Sequence, residues 1–209
     1  MKARRAIAAL LISLAGVALV ASASEFNTVQ NAKSQITFAS KQMGVPVEGK
    51  FGKFTAQINF DPAKPEAGRA QVEIDLNSID TGSDDANTEV KRKSWFDTQN
   101  FPTAKFVSSS IKAMGGGKFE AAGKMTIKGR TLDMVAPFTF KPEGKDARFD
   151  GTFTIKRLSY GIGEGAWADT STVADEVVVK SSVLVSATPT PISAPISAPI
   201  PVTKPAPKK

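Results

Sequence analysis

Acidic side chains cluster in one short segment, and they are candidates for binding a metal ion. Within "DTGSDDANTE", the carboxylates of Asp80, Asp84, Asp85 and Glu89 follow one another closely. Carboxylate oxygens are ligands that calcium prefers, but the spacing does not match that of an EF-hand loop. We therefore expect a solvated loop rather than a metal site.

Histidine and cysteine, which carry much of enzyme chemistry, are both absent from the 209 residues. Without histidine the chain lacks the commonest general base, a Ser-His-Asp triad and any histidine-bearing metal site. Without cysteine it has no disulfides and no thiol chemistry. The adjacent carboxylates of Asp84 and Asp85 are no evidence of an acid/base pair, which requires a defined geometry. We predict a protein that is not an enzyme, with no catalytic residues, no metal and no cofactor.

A second unusual segment, "KRKSWFD" at residues 91–97, places two large aromatic side chains beside three consecutive cations. The basic side chains can keep their charged ends in water while their stems lie along apolar surface, so that Trp95 and Phe96 turn inward. The two rings then either plug a core or contact a bound apolar molecule. The sequence leaves both alternatives open.

The N-terminal segment has the composition of a secretory signal peptide. Residues 1–23 begin with three cations, continue with an uncharged apolar run and end in Ala-Ser-Ala. The apolar run is short for a membrane span, which needs about 20 residues. We expect cleavage after Ala23 and a mature protein located in the periplasm.

The C-terminal segment, residues 188–209, contains more than half of the 13 prolines in the chain. Proline at this density favours polyproline II structure or disorder. This tail is expected to be either solvated, with no partner that the sequence identifies, or a spacer. In the second case its cations would touch anionic lipid or wall polymer; they are Lys204, Lys208 and Lys209.

The net charge of the remaining residues argues against nucleic acid as a partner. The formal charge of +7 includes three cations in the signal segment and three in the tail, and neither segment contains an acid. Residues 24–187 therefore carry a net charge of only +1. A basic footprint for nucleic acid is absent from this expected folded domain.

Residues 24–187 alternate between apolar and polar side chains with a period of two, which is typical of strands with one buried and one wet face. In "KFTAQINF", for example, the apolar side chains from Phe54 to Phe60 share one face. The same pattern predicts eight strands, near residues 33–41, 48–61, 69–80, 103–113, 117–128, 131–142, 147–158 and 175–187. Residues 84–97 lack the period and read as helix or loop.

Eight amphipathic antiparallel strands can bury their apolar faces and remove their edges by closing into a barrel. The other faces carry Lys53, Gln57, Glu73 and Asp75, so the barrel exterior should face water rather than lipid. We predict an all-β, eight-stranded antiparallel barrel with a short helix or loop segment near one mouth. Its interior is either filled with side chains or holds one small ligand.

Several separated motifs resemble those of one known family, in the same order and spacing. They are "GKFGKFTAQINFDPAKPEAGRAQVEIDLNSIDTG", "WFDTQNFPTAKF", "AAGKMTIKGRTLDMVAPFTF", "TIKRLSYGIG" and "VADEVVVKSSVLVSA". Together they resemble the YceI-like family of periplasmic lipid-binding proteins, over about residues 26–187. One departure is the segment Asn87-Thr88-Glu89-Val90, which stands where the family usually has Asp-x-His-Leu.

The resemblance implies a lipocalin-like barrel that encloses a long tunnel for a polyisoprenoid, such as a quinone or an isoprenoid alcohol. It implies that the segment ending in Trp95-Phe96-Asp97 covers part of the mouth, and that Phe101-Pro102 leads into the next strand. The expected ligand-binding side chains of the tunnel are Phe38, Phe54, Ile58, Ile74, Trp95, Phe96, Phe101, Phe106, Met125, Phe138, Phe153 and Trp167.

The function expected from these observations is that of a periplasmic carrier for a long-chain isoprenoid lipid, with transient contact to a membrane surface. The alternative is a filled barrel that binds no lipid and acts as an interaction or stress-related module in the envelope. An enzyme acting on an isoprenoid or a quinone ranks last, because histidine is absent.

Overall fold

Eleven antiparallel β-strands form a single sheet in the computed structural model of the protein, which describes residues 24–189. The strands are β1 (Ser24–Val29), β2 (Gln35–Gln42), β3 (Val45–Phe51), β4 (Phe54–Asn59), β5 (Arg69–Asp75), β6 (Ile79–Asp80), β7 (Thr103–Gly115), β8 (Lys118–Ile127), β9 (Arg130–Glu143), β10 (Asp146–Lys156) and β11 (Glu176–Pro189). The order in the sheet is β4-β5-β7-β8-β9-β10-β11-β2-β3-β6, and β1 pairs with β11. The predicted residues 1–23 of the signal peptide and 190–209 of the tail lie outside the described residues.

The sheet curls into a barrel because β3 and β4 act as one long bent strand. They are separated only by Gly52 and Lys53, yet β3 pairs with β2 whereas β4 pairs with β5. The bend is held where the Gly52 N–H donates to the Ser78 carbonyl (2.9 Å). The order of strands therefore returns on itself through this segment, and the expectation of an all-β antiparallel barrel with a lipocalin-like fold is confirmed.

The eight predicted strands are all present, and the differences are confined to bends and to the N-terminal strand. The stretches predicted at 48–61 and 69–80 each divide into two elements, β3 with β4 and β5 with β6. Strand β1 was not predicted, because a bulge between Phe26 and Thr28 breaks its alternation. The last strand runs to Pro189, slightly beyond the expected start of the tail.

One short α-helix, α1 (Asp84–Glu89), lies in the segment predicted as helix or loop. Ser83 caps it, its hydroxyl accepting from the Ala86 N–H (3.5 Å), and Asp84 and Asp85 place negative charge in the first turn. Both features favour a helix start at this position. Within the described residues, no helix is long and apolar enough to cross a membrane.

Phenylalanine rings close one end of the barrel, which we call the closed end. Phe60 is fully buried, and its backbone N–H and carbonyl pair with those of Phe26, which ties β1 to the end of β4. The Phe60 ring packs against Phe119 (centroids 5.1 Å apart) and Phe149 (5.4 Å), both in edge-to-face geometry. Edge-to-face pairs add to the burial of apolar area, so this cluster is a central part of the core.

Replacing Phe60 with alanine is expected to lower the free energy of unfolding by about 3–5 kcal/mol, because a fully buried ring and its aromatic contacts are lost. Denaturant-induced unfolding measures the change. Met43, which is 77% exposed at a turn, provides the control, since Met43→Ala should change stability by about 0.5 kcal/mol or less. Equal effects for the two variants would contradict the assignment of the core.

Candidate functional site

The barrel encloses a cavity of about 680 Å³, and this cavity is the candidate functional site. The inner faces of the strands supply an apolar wall, represented by Phe38, Phe51, Met125, Phe153 and Val179. The opposite end from the phenylalanine cluster is covered by α1 and by the segment between β10 and β11. We call this covered end the mouth.

A second cavity of about 130 Å³ continues the first one toward the closed end. Both are lined by the same five residues, Ile74, Ala104, Met125, Phe153 and Val179, so the two spaces adjoin inside one barrel. Phe60, Phe138 and Phe149 lie at the far side of the smaller cavity. The interior is therefore an elongated apolar space that runs from the mouth to the phenylalanine cluster, and the barrel is not filled.

Polar side chains line the cavity at the mouth, in contrast to the apolar wall below. They come from the β2–β3 hairpin and from the segment around α1, and include Lys41, Gln42, Thr88, Glu89 and Arg92. Lys41, Gln42 and Arg92 are exposed to solvent. An amphipathic molecule would thus find apolar surface inside and hydrogen-bonding groups at one end.

Trp95 and Trp167 meet at the mouth, with ring centroids 5.5 Å apart. The Trp167 indole N–H donates to the Glu89 carboxylate (3.1 Å), which also pairs with the Arg92 guanidinium (3.0 Å). This chain of contacts connects the segment after β10 to α1, across the cavity. Trp95, Phe96 and Trp167 all line the cavity, so these rings border an open space instead of plugging it.

Arg157, at the end of β10, is the most deeply buried charged group of the mouth, with 1% of its surface exposed. Its guanidinium donates to five backbone carbonyls at 2.7–3.0 Å, those of Ile162, Gly163, Trp167, Val173 and Ala174. All the carbonyls belong to the segment between β10 and β11. A planar group with five donors can satisfy such a ring of acceptors, which a lysine ammonium cannot.

The surroundings of Arg157 explain both its pKa and the local sequence. Burial lowers the pKa of the Arg157 guanidinium, and the nearby Asp175 carboxylate partly offsets this effect. The guanidinium also lies over the Trp95 ring, 5.6 Å from its centroid, where a cation is favoured. Gly163 has φ +75°, and a Cβ there would lie 2.3 Å from the Arg157 Nη1, so only glycine fits.

The Trp95 indole N–H is a buried donor with no acceptor among residues 24–189. Leaving such a donor unpaired costs about 1–3 kcal/mol. Its ring borders the cavity. The mouth therefore contains one hydrogen-bond donor that the described protein does not use.

Ten of the twelve predicted ligand-binding residues line one or both cavities. Phe38, Ile74, Trp95, Phe96, Met125, Phe153 and Trp167 border the larger one, while Ile58, Ile74, Phe106, Met125, Phe138 and Phe153 border the smaller one. Their contact with a ligand stays a prediction, since the positions describe the wall of the space and not its occupant.

Phe54 and Phe101 are the two predicted residues that line neither cavity. Phe54 lies opposite Ile74 in the β4–β5 ladder. Phe101 packs against the turn between β8 and β9, where a Cβ on Gly129 would lie 2.9 Å from its ring. The structure thus places Phe101 beside the mouth but outside the cavity wall.

Arg157, Tyr160, Asp169 and Asp175 lie in family-like motifs near strand ends, and from the sequence a structural salt link is a more favoured use for them than a contact to a ligand head group. For Arg157 this expectation is wrong, because its hydrogen-bond partners are carbonyls, and the Asp175 carboxylate accepts from the Leu158 N–H (3.0 Å). Thr88, Glu89 and Val90 line the larger cavity although they depart from the usual family motif. In the part of the chain that the structure describes, no group of three or more acidic residues could hold a metal ion.

Arg157→Lys is expected to lower the free energy of unfolding by about 3 kcal/mol, because buried carbonyls lose their partners. Hydrogen exchange should also accelerate in residues 162–174, which those carbonyls anchor. The matched control is Arg69→Lys, since Arg69 is exposed and donates to the carbonyls of Glu66 and Gly68. Unchanged exchange in residues 162–174 would show that Arg157 does not hold this segment.

Comparison with known proteins agrees with this architecture. The crystal structure of Burkholderia cenocepacia BcnA is similar, with 47% sequence identity and a TM-score of 0.73, over 75% of this chain and 98% of that chain. A polyisoprenoid binding domain from Saccharophagus degradans, implicated in plant cell wall breakdown, has a TM-score of 0.59 over 79% of this chain and 99% of that domain. At 16% identity, the latter shows a shared fold only.

Curated relatives and a family model complete the comparison. A UPF0312 protein of Pseudomonas savastanoi pv. phaseolicola is 34% identical over 131 residues, which are 59% of this chain and 68% of that protein. The model of the YceI-like domain matches residues 28–185, which include nearly all of the barrel. The chain therefore belongs to the YceI-like domain family.

Proposed function

We propose that this protein binds a long-chain isoprenoid lipid, of the quinone or prenol type, in the interior of its barrel and carries it through the periplasm. The observation that supports this most strongly is the elongated apolar space between the phenylalanine cluster and the mouth. The name of the Saccharophagus degradans domain, which has the same fold, points to the same class of ligand.

The contrast between the two ends of the cavity supports a lipid with a polar head. The wall around Ile74, Met125 and Val179 offers only apolar contacts to a hydrocarbon chain. At the mouth, the unpaired Trp95 N–H and the side chains of Thr88 and Glu89 offer hydrogen bonds. A quinone carbonyl or a prenol hydroxyl would satisfy the Trp95 donor if the ring turned its buried N–H toward the cavity.

Energetics favour exchange over permanent storage. Each methylene moved from water into the cavity gains about 0.8 kcal/mol. A bilayer, however, is equally apolar, so transfer from membrane to protein is nearly balanced. Cavity shape and the few hydrogen bonds at the mouth then decide which lipid stays bound. This balance suits a carrier, which must also release its cargo.

Binding rather than catalysis is the proposed role. Histidine is absent from the sequence, and Arg157, the most deeply buried charged side chain at the mouth, is fully engaged with carbonyls. Export and a periplasmic location belong to the same proposal and are supported by the composition of residues 1–23. The alternative of a filled barrel without a lipid is disfavoured by the cavity volume.

Native mass spectrometry of protein purified from the periplasm without detergent tests the proposal directly. We expect a discrete additional mass that organic solvent removes and that is identified as an isoprenoid lipid. A bare protein mass that stays bare after incubation with quinone-loaded vesicles would refute lipid binding. The same preparation shows by N-terminal sequencing whether the chain begins after Ala23.

Filling the cavity at its centre is expected to weaken lipid binding. Ala104 lines both cavities, so Ala104→Phe should lower the affinity for a ubiquinone about tenfold or more by blocking the path between them. Quenching of the fluorescence of Trp95 and Trp167 by the quinone measures binding. Ala113→Phe is the control, because Ala113 is exposed on the same strand. Equal affinity in the two variants would place the lipid outside the barrel.

A further inference from the structure

The wall of the barrel is split between β9 and β10, in the half of the molecule nearer the mouth. The two strands pair from Glu143 with Asp146 up to Phe138 with Gly151, and the ladder ends there. Beyond that point, residues 130–137 continue to pair with β8, and residues 152–156 continue to pair with β11. The adjoining edges of β9 and β10 are therefore unpaired with one another over about 17 Å, five residues at roughly 3.3 Å each.

The local sequence explains where the split begins. Pro137 is the first residue of β9 beyond the ladder, and it has no N–H to donate to a neighbouring strand. Its carbonyl lies toward Gly151, since a Cβ on that glycine would be 3.4 Å from the Pro137 oxygen. Proline in a strand is normally confined to an edge for this reason.

Polar contacts frame the split at the mouth. Glu164, in the segment after β10, pairs with Lys128 (3.2 Å) and with Arg130 (3.1 Å) at the turn between β8 and β9. The Lys128 ammonium also donates to the Gly161 carbonyl. The split is thus bounded at its lower end by the last β9–β10 pair, Phe138 with Gly151, and at its upper end by these ion pairs. We call the opening between them the window.

The cavity reaches the window from inside. Met134, Ala136 and Pro137 on β9 line the smaller cavity together with Gly151 and Phe153 on β10. Ile155, higher on β10, lines the larger cavity. The side chains on both sides of the window therefore belong to the wall of the same apolar space.

Exposure of an inward-facing side chain supports an opening at this place. Leu132 lies opposite Met125 in the β8–β9 ladder and shares its side of the sheet, which is the barrel interior. Met125 is buried, whereas Leu132 is 39% exposed. This exposure fits the absence of β9–β10 pairing beside Leu132.

The middle of the window's outer border is uncharged, whereas its upper end carries the exposed side chains of Lys156 and Asp133. The residues that face outward along this middle part are Val135 on β9 and Thr152 and Thr154 on β10, and Val135 is 52% exposed. Asp133, near the upper end of the window, is exposed and pairs with Lys124 (2.8 Å). A hydrocarbon chain would meet exposed charges at the mouth, on Lys41 and Arg92, but none of these in the middle of the window.

From this geometry we propose that the window is a lateral portal, through which the hydrocarbon chain of the lipid passes between a bilayer and the cavity. The outer surface beside Val135 and Thr154 faces the bilayer during transfer, and the polar head stays at the mouth. This inference rests on the proposed function and specifies the route of the cargo.

A cross-link across the window tests the route. Val135 and Thr154 would lie opposite each other if the ladder continued past Phe138 and Gly151. The chain has no cysteine, so the double variant Val135→Cys/Thr154→Cys can be joined by a short bismaleimide after folding. Stopped-flow quenching of tryptophan fluorescence then follows uptake of a ubiquinone from vesicles of phosphatidylethanolamine and phosphatidylglycerol.

We expect the cross-linked protein to take up the quinone at least about tenfold more slowly than the same protein before cross-linking, because the portal cannot open. The control is Lys112→Cys/Glu120→Cys, a directly opposite pair in the intact β7–β8 ladder, whose cross-link should leave the rate unchanged. Uptake at the original rate through a cross-linked window would overturn the portal while leaving lipid binding intact. No uptake by the unmodified protein would instead refute the proposed function, and the portal with it.

Discussion

A single buried guanidinium organises the mouth of this barrel. The segment between β10 and β11 has little regular structure, and its carbonyls would be costly to bury without partners. Arg157 gathers five of them around one planar group and presents its face to Trp95. The arrangement is possible because guanidinium donors diverge in one plane. It lets an irregular segment cover an apolar cavity without filling it.

At the closed end, by contrast, packed aromatic side chains fill the barrel interior. Six phenylalanines from five strands, one of them at the end of β4, meet there in mostly edge-to-face pairs, and they are Phe26, Phe60, Phe119, Phe138, Phe140 and Phe149. In the middle of the barrel the inward side chains include small ones, such as Ala104, Gly151 and Val179, beside Met125 and Phe153. Because strand spacing is constant, these small side chains leave space that the larger ones do not fill.

The cavity, the polar mouth and the window fit one physical account of lipid exchange. An apolar interior holds a hydrocarbon chain about as well as a bilayer does, so the free energy of transfer is small. Rates then depend on whether the chain must cross charged surface. The middle of the window between β9 and β10 has an uncharged border, at Val135, Thr152 and Thr154, whereas Lys41 and Arg92 line the mouth. Unpaired strand edges are a liability in a soluble protein, and here Pro137 and the ion pairs of Glu164 limit their length.

By itself the sequence determined the strands, their inward faces and the barrel, because alternation with a period of two depends only on neighbouring residues. It missed β1, where a bulge after Phe26 disturbs the period, and it could not show that β3 and β4 bend at Gly52. Most of the predicted cavity residues do line the cavity, since facing inward is a local property. Phe54 and Phe101 do not, because alternation says which side a residue faces but not at what depth the space lies.

Only the tertiary structure decided that the barrel is hollow, that Arg157 bonds to carbonyls instead of a carboxylate, and that β9 and β10 part beyond Pro137. Each of these depends on distances between segments far apart in the chain, such as Trp95 and Trp167 or Lys128 and Glu164. The local pattern of side chains fixes what each strand can bury. The packing of all strands together decides how much space remains and where it opens.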